Sequence, residues 1–178
     1  MDAKYSHLLS VPWAAALIND PNWTPMETSS RSVKPSGEDS FFAGTLGTDR
    51  TITTLLTFRP KNEEAGDIAY KEIKTIVELG DGLQGYPQIA HGGFQATLLD
   101  EMSGVLIGKV MEKKAQRANL NTTYKKPAPT LLTLLCTAKI ERIEDGGRKL
   151  YARATLEDGN GTIYTIADGM FIRLSTKL

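Results

Sequence analysis

The strongest periodic pattern in the chain is GFQATLLDEMSGVLIGKV, residues 93–110, and its period is helical. Stepping about 100° per residue puts Leu98, Leu99, Met102, Val105, Leu106 and Val110 on one broad side, and Thr97, Asp100, Glu101, Gly104 and Gly108 on the other. A helix that packs on a sheet and faces water should be amphipathic. This one is apolar over most of its circumference, so burial nearly all round is expected.

Strand signals flank it. SFFAGTLGTDRTITTLLTFRP holds two β-rich runs around the turn GTDR, and AYKEIKTIVEL adds a third run with Ile73 and Val77. A glycine-rich loop, GDGLQGYP, leads into the helix. Beyond the helix, ANLNTTYKKPAP reads as a strand stopped by two prolines. LLTLLCTAKIERIE, RKLYARATLE and TIYTIADGMFIRL follow, separated by DGG and DGNG, whose glycines suit hairpin turns. The order is strands, one helix, then four strands. That is an α+β pattern in which one antiparallel sheet must cover one long helix.

The first forty residues differ. YSHLLSVPWAAALIND carries Leu8, Leu9, Trp13, Ala16 and Leu17 at near-helical spacing and is broken by Pro21. PMETSSRSVKPSGED then reads as a linker, because its Pro, Ser and Gly content can bury little surface. Residues 1–40 are therefore expected to be a helical extension and linker, and residues 41–178 the main domain.

Composition removes several classes of chemistry. Lys plus Arg and Asp plus Glu number 21 each, so nothing global points to nucleic acid. The single Cys136 forbids an internal disulfide and reads as a core residue. With His7 and His91 as its two histidines, the chain is expected to hold no metal and no cofactor. No arginine precedes Arg31, which fits neither a basic secretory leader nor an arginine-rich transit peptide, and no apolar run reaches membrane-spanning length. A cytoplasmic setting is expected, with a mitochondrial one as the alternative.

The candidate chemistry gathers at the helix. His91-Gly92-Gly93 stands where it begins, and a helix N-terminus offers unpaired amides and a positive partial charge. A carbonyl oxygen resting on the Gly92 or Gly93 amide would be polarised. A carboxylate two turns further on could then activate water or attack the carbonyl carbon. His91 would orient that group or the loop. Glycine inside a helix costs up to about 1 kcal/mol, so Gly104 and Gly108 imply a close approach, by a neighbouring helix or by substrate. Both hold if the groove lies between two copies of the helix. The bland reading gives the same residues ordinary jobs: a capping histidine, a Gly-Gly turn, and two acids at the wet edge of a packed helix.

HGGFQATLLDEMSG resembles the H-G-G-x-x-x-x-L-x-D-x-x-x-G signature of hotdog-fold acyl-CoA thioesterases of the phenylacetate-pathway type, and TTYKKPAP is similar to the strand that follows it. The resemblance implies a hotdog fold, with the sheet wrapped around the central helix, and here an extra N-terminal helix. It implies hydrolysis of an acyl-CoA to free acid and CoA in a homodimer or a tetramer of dimers. Asp100, nine residues after His91, would be the nucleophile or general base, and Gly92 the oxyanion donor. Gly93, Gly85, Gln88 and Glu101 would border the substrate. Gly85 stands where some relatives carry an Asn, and Arg117 falls near the Ser or Thr that others carry on the next strand. For the CoA phosphates the chain offers Lys109, Lys113, Lys114, Arg117, Lys125 and Lys126, of which Arg117, Lys125 and Lys126 are the chosen candidates. The alternative function is a non-catalytic acyl-CoA or lipid-binding module, and a hydratase ranks below both.

Overall fold

The computed structural model describes residues 3–63, 68–110 and 115–173. A 3₁₀ segment, Ala3–Ser10, leads into α1 (Pro12–Asn19). The strands β1 (Trp23–Met26), β2 (Ile52–Pro60) and β3 (Glu72–Leu79) follow. Next come the short hairpin β4 (Gln84–Tyr86) and β5 (Ile89–Ala90), then the long helix α2 (Gly92–Val110). The chain continues with β6 (Ala115–Tyr124), β7 (Thr133–Glu144), β8 (Lys149–Glu157) and β9 (Ile163–Arg173). Seven strands form one antiparallel sheet in the order β1-β2-β3-β7-β8-β9-β6, with β4 and β5 paired separately. This is the expected α+β arrangement.

The two-residue period of the strands explains how one sheet serves two layers. On β3, Ile73, Val77 and Leu79 point into the main core with Leu98, Leu99, Met102 and Leu106 of α2. The alternate residue Ile76 points to the back of the sheet, where Leu8, Ala14 and Leu17 pack on it and on Phe58. The N-terminal helix therefore lies on the outer face, opposite α2. His7 Nε2 meets Glu78 Oε2 at 2.8 Å and ties that segment to β3.

Two expectations are corrected. The stretch read as a linker begins inside β1, whose Pro25 and Met26 pair with Phe58 and Thr57 of β2, and it buries Thr28 and Ser30. Its polarity is absorbed by partners: the Thr28 hydroxyl donates to Thr57 Oγ1 at 2.9 Å. Arg31 donates to the carbonyls of Phe42, Leu46 and Ile52 at 2.9–3.1 Å. The second correction follows from the first. Phe41–Thr45, read as a strand, is a π-helical turn, and Arg31 satisfies the Phe42 carbonyl within it and the Leu46 carbonyl just after it.

The DGNG turn packs against the outer layer. A Cβ on Gly159 (φ +75°) would lie 2.3 Å from the Trp13 ring, whereas one on Gly161 (φ +98°) would meet nothing within 4 Å. Gly159→Ala should therefore destabilise the fold by about 2 kcal/mol or more, through strain and collision together. Gly161→Ala should cost only about 1 kcal/mol, for its backbone conformation. Urea midpoints measure both, and equal losses would mean that the Trp13 contact carries nothing.

Candidate active site

The β4–β5 hairpin delivers the chain into α2 under tight restraint. Ala90 N–H donates to Ala128 O at 2.9 Å and His91 N–H to Leu83 O at 2.8 Å. Gln84 Nε2 donates to Thr130 Oγ1 at 3.2 Å. Gln88 sits exposed at the hairpin tip with φ +60°, and its carbonyl accepts from Thr130 N–H at 3.0 Å. A Cβ on Gly85 would come within 3.1 Å of His91 Cα and Cδ2, so a larger residue fits there only if the hairpin shifts.

His91 caps the helix: Gly93 N–H donates to its Nδ1 at 3.0 Å. Gly93 is thereby engaged, and among the described residues no group accepts from the Gly92 N–H. The Tyr124 hydroxyl donates to Gly92 O at 2.9 Å, and a Cβ on Gly92 would lie 3.3 Å from the Tyr124 ring. Gln95, which the sequence reading missed, anchors the same turn from inside. It is buried, donates from Nε2 to Ala90 O at 2.8 Å, and accepts from the Thr165 hydroxyl. Its one legible signal was an amide on the arc destined for the core.

Asp100 lies two turns on, half-buried at the edge of the apolar arc. Arg117 reaches it from β6: Nη1 donates to Asp100 Oδ2 and Nη2 to the Asp100 carbonyl at 2.6 Å. The guanidinium also stacks on Phe171, 4.8 Å from the ring centroid. Arg117, chosen from sequence for a phosphate, is thus turned inward. The cause is a β-bulge. Leu120 packs on the core while Asn119 and Asn121 line a groove on the outer face, so strict alternation would send residue 117 outward. The β6–β9 register shifts between Arg117 and Asn119, which reverses the alternation and brings Arg117 to the helix.

Gly104 makes that possible, because a Cβ there would crowd Arg117 Nη2 at 3.3 Å. Gly108 has nothing within 4 Å. α2 is therefore not buried nearly all round in a single chain. Along Glu101, Gly104 and Gly108 it borders a shallow groove of about 330 Å³, walled by Ser29, Ser30, Lys34 and Asp39. Lys125 and Lys126 are exposed beside Tyr124, Lys109 is exposed near the end of α2, and Lys113 and Lys114 lie outside the described residues. Cys136 is buried, as expected. Among the described residues no His, Cys, Asp and Glu cluster could hold a metal, and no helix is long and apolar enough to cross a membrane.

Burial raises the pKa of Asp100 above the ordinary carboxylate range, while the charge and hydrogen bond of Arg117 pull it down. Burial also raises Glu101, opposed by Ser30 and reinforced by the negative charges of Asp39 and Asp100. An amide donor at a helix start and a carboxylate on the same helix can polarise a carbonyl and activate water for attack on it, if both reach the same carbon.

A helix lying in a wrapped antiparallel sheet, with a glycine-marked N-terminus and an acid on its exposed edge, defines a hotdog fold, and known structures agree. A thioesterase superfamily protein is 25% identical with a TM-score of 0.56, over 66% of this chain and 53% of that one. A Streptococcus mutans protein bound to acetyl CoA is 19% identical with a TM-score of 0.54, over 67% and 90%. In sequence, the chain is similar to the acyl-coenzyme A thioesterase THEM4 of Mus musculus, 38% identical over 108 residues, which are 60% of this chain and 45% of the relative. The resemblance to hotdog-fold acyl-CoA thioesterases seen in the helix motif thus recurs in both comparisons. The chain spans under half the length of the curated relatives it matches. No protein-family model matches it.

The raised pKa of Glu101 has a consequence for stability. Between the ordinary carboxylate value and the raised one, the folded chain holds a proton that the unfolded chain has released. The contribution of Glu101 to stability should therefore fall as pH rises through that window, from about pH 4 upward, and level off above it. Glu101→Gln should remove that contribution, so wild type should lose stability relative to the variant as pH rises through the window. Urea midpoints of both proteins across the range check it, and parallel profiles would mean that Glu101 titrates normally.

Proposed function

We propose that this domain hydrolyses acyl-CoA thioesters to free acid and CoA as a homodimer, the unit from which a tetramer of dimers would be built. The observation that carries the reading is the pairing of an unclaimed Gly92 amide with Asp100 on one helix of a hotdog fold. The name of the mouse relative and the acetyl CoA bound to the Streptococcus mutans neighbour support the substrate class.

Geometry supports the dimer. Eight residues at 1.5 Å each separate Gly92 from Asp100 by about 12 Å along the helix. Reacting atoms need to stand about 3–3.5 Å apart. One copy therefore cannot hold the carbonyl oxygen on Gly92 and still bring Asp100 to the carbonyl carbon. A second helix, related by a two-fold axis, supplies the acid. β6 offers the place to pair: it is hydrogen-bonded to β9 on one side and forms the other edge of the sheet. In each site the amide of one copy polarises the thioester. Asp100 of the other takes a proton from water as the water oxygen bonds to the carbon, the C–S bond breaks, and the departing thiolate takes up the proton. Lys125 and Lys126 stand on the Gly92 side, where they would meet phosphate.

Asp100→Asn keeps the size of the side chain and removes the base. Thiol release from short, long and aromatic acyl-CoA substrates should fall about 10²- to 10⁴-fold, with circular dichroism, oligomer size and CoA binding unchanged. Loss of the oligomer in that variant would make Asp100 structural, and thiol release at the wild-type rate would remove it from the reaction.

A further inference from the structure

Arg117 is a demanding residue to place where it stands. Its Nε is buried without a hydrogen-bond partner among the described residues, its ring-facing side lies on Phe171, and a bulge in β6 and a glycine in α2 are both needed to admit it. A half-buried ion pair contributes little net stability compared with apolar packing of similar volume. Stability alone does not account for this arrangement. Geometry does give it a use. With Nη2 on the Asp100 main-chain carbonyl and Nη1 on Oδ2, the planar guanidinium fixes both the helix position and the side-chain rotamer of the acid.

We propose that Arg117 is a positioning residue of the hydrolytic site, which clamps Asp100 through Oδ2 and leaves Oδ1 as the oxygen that takes the proton from the attacking water. The role rests on the thioesterase reading. Of the charged groups around Asp100, Glu101 adjoins it on α2 and Arg117 faces it from β6, while Asp39 lies beyond, against Glu101. Burial disfavours the anion of Asp100, and the charge and hydrogen bond of Arg117 oppose it. Removing the guanidinium should therefore leave a mobile acid that binds its proton more tightly.

The test compares the full chain with Arg117→Met and Arg117→Lys, using pH profiles of kcat and KM and carbon-detected titration of Asp100, assigned with Asp100→Asn. In Arg117→Met the acid limb of kcat should move up by about one pH unit or more and kcat at neutral pH should fall about tenfold or more, with KM changed less than about threefold. The Asp100 titration should move up with it, and Arg117→Lys should recover part of both. The double variant with Asp100→Asn should be no slower than Asp100→Asn alone, because Arg117 acts through the acid. A rise in KM with an unchanged limb would overturn the inference and return Arg117 to phosphate binding. An Asp100 titration unmoved in Arg117→Met would overturn it whatever the rates. A wild type that releases no thiol would defeat the thioesterase reading and the catalytic role with it, while the titration would still show whether the clamp exists.

Discussion

A helix of 19 residues, apolar along more than half its circumference, has to be covered by a single sheet, and most of this molecule follows from that requirement. The strands curve around α2 and give it their inward residues: Ile73, Val77, Leu134, Ala138, Leu156 and Ala167 all share its core. Their outward residues would be exposed on the back, and over β2 and β3 the segment before β1 covers them with Leu8, Ala14 and Leu17. The sheet is thus the middle of three layers on that side.

The same requirement creates the site. A single sheet cannot reach all the way round a helix, so one arc stays at the edge, and the polar residues of α2 collect there. Asp100 and Glu101 occupy that arc, and burial raises both. The N-terminus of α2 must also emerge from the sheet, and Ala128, Leu83, Gln95 and Tyr124 hold it by hydrogen bonds from several sides. A rigid helix start and a half-buried acid on one rod, about 12 Å apart, are complementary between two copies and not within one.

What could be read from the chain was what is local. The periodicity of residues 93–110 marked α2, glycine turns marked the β7–β9 meander, and the spacing from His91 to Asp100 marked the acid. Long-range partners decided the rest. Phe41–Thr45 has strand-like residues but forms a turn whose Phe42 carbonyl, with that of Leu46 after it, is taken by the distant Arg31. β1 runs into the polar stretch at Pro25 and Met26, where β2 supplies its ladder. Arg117 read as a surface cation because a bulge, which no local pattern announces, changes the face it occupies. The position of His91 suggests a residue that orients the reacting group or the loop, and in the structure its ring caps the Gly93 amide.

Subunit complementation tests the split site most directly. Asp100→Asn removes the acid. Gly92→Pro removes the amide hydrogen at a first helical position, where the Tyr124 ring must give slightly to admit the proline, so circular dichroism first confirms its fold. Each homodimer should be inactive. After exchange confirmed by native mass spectrometry, half the dimers should be mixed, each with one intact site and one doubly damaged site, and thiol release should return to about a quarter of the wild-type rate. Exchanged mixtures that stay at the level of the parents would contradict a site built from two copies.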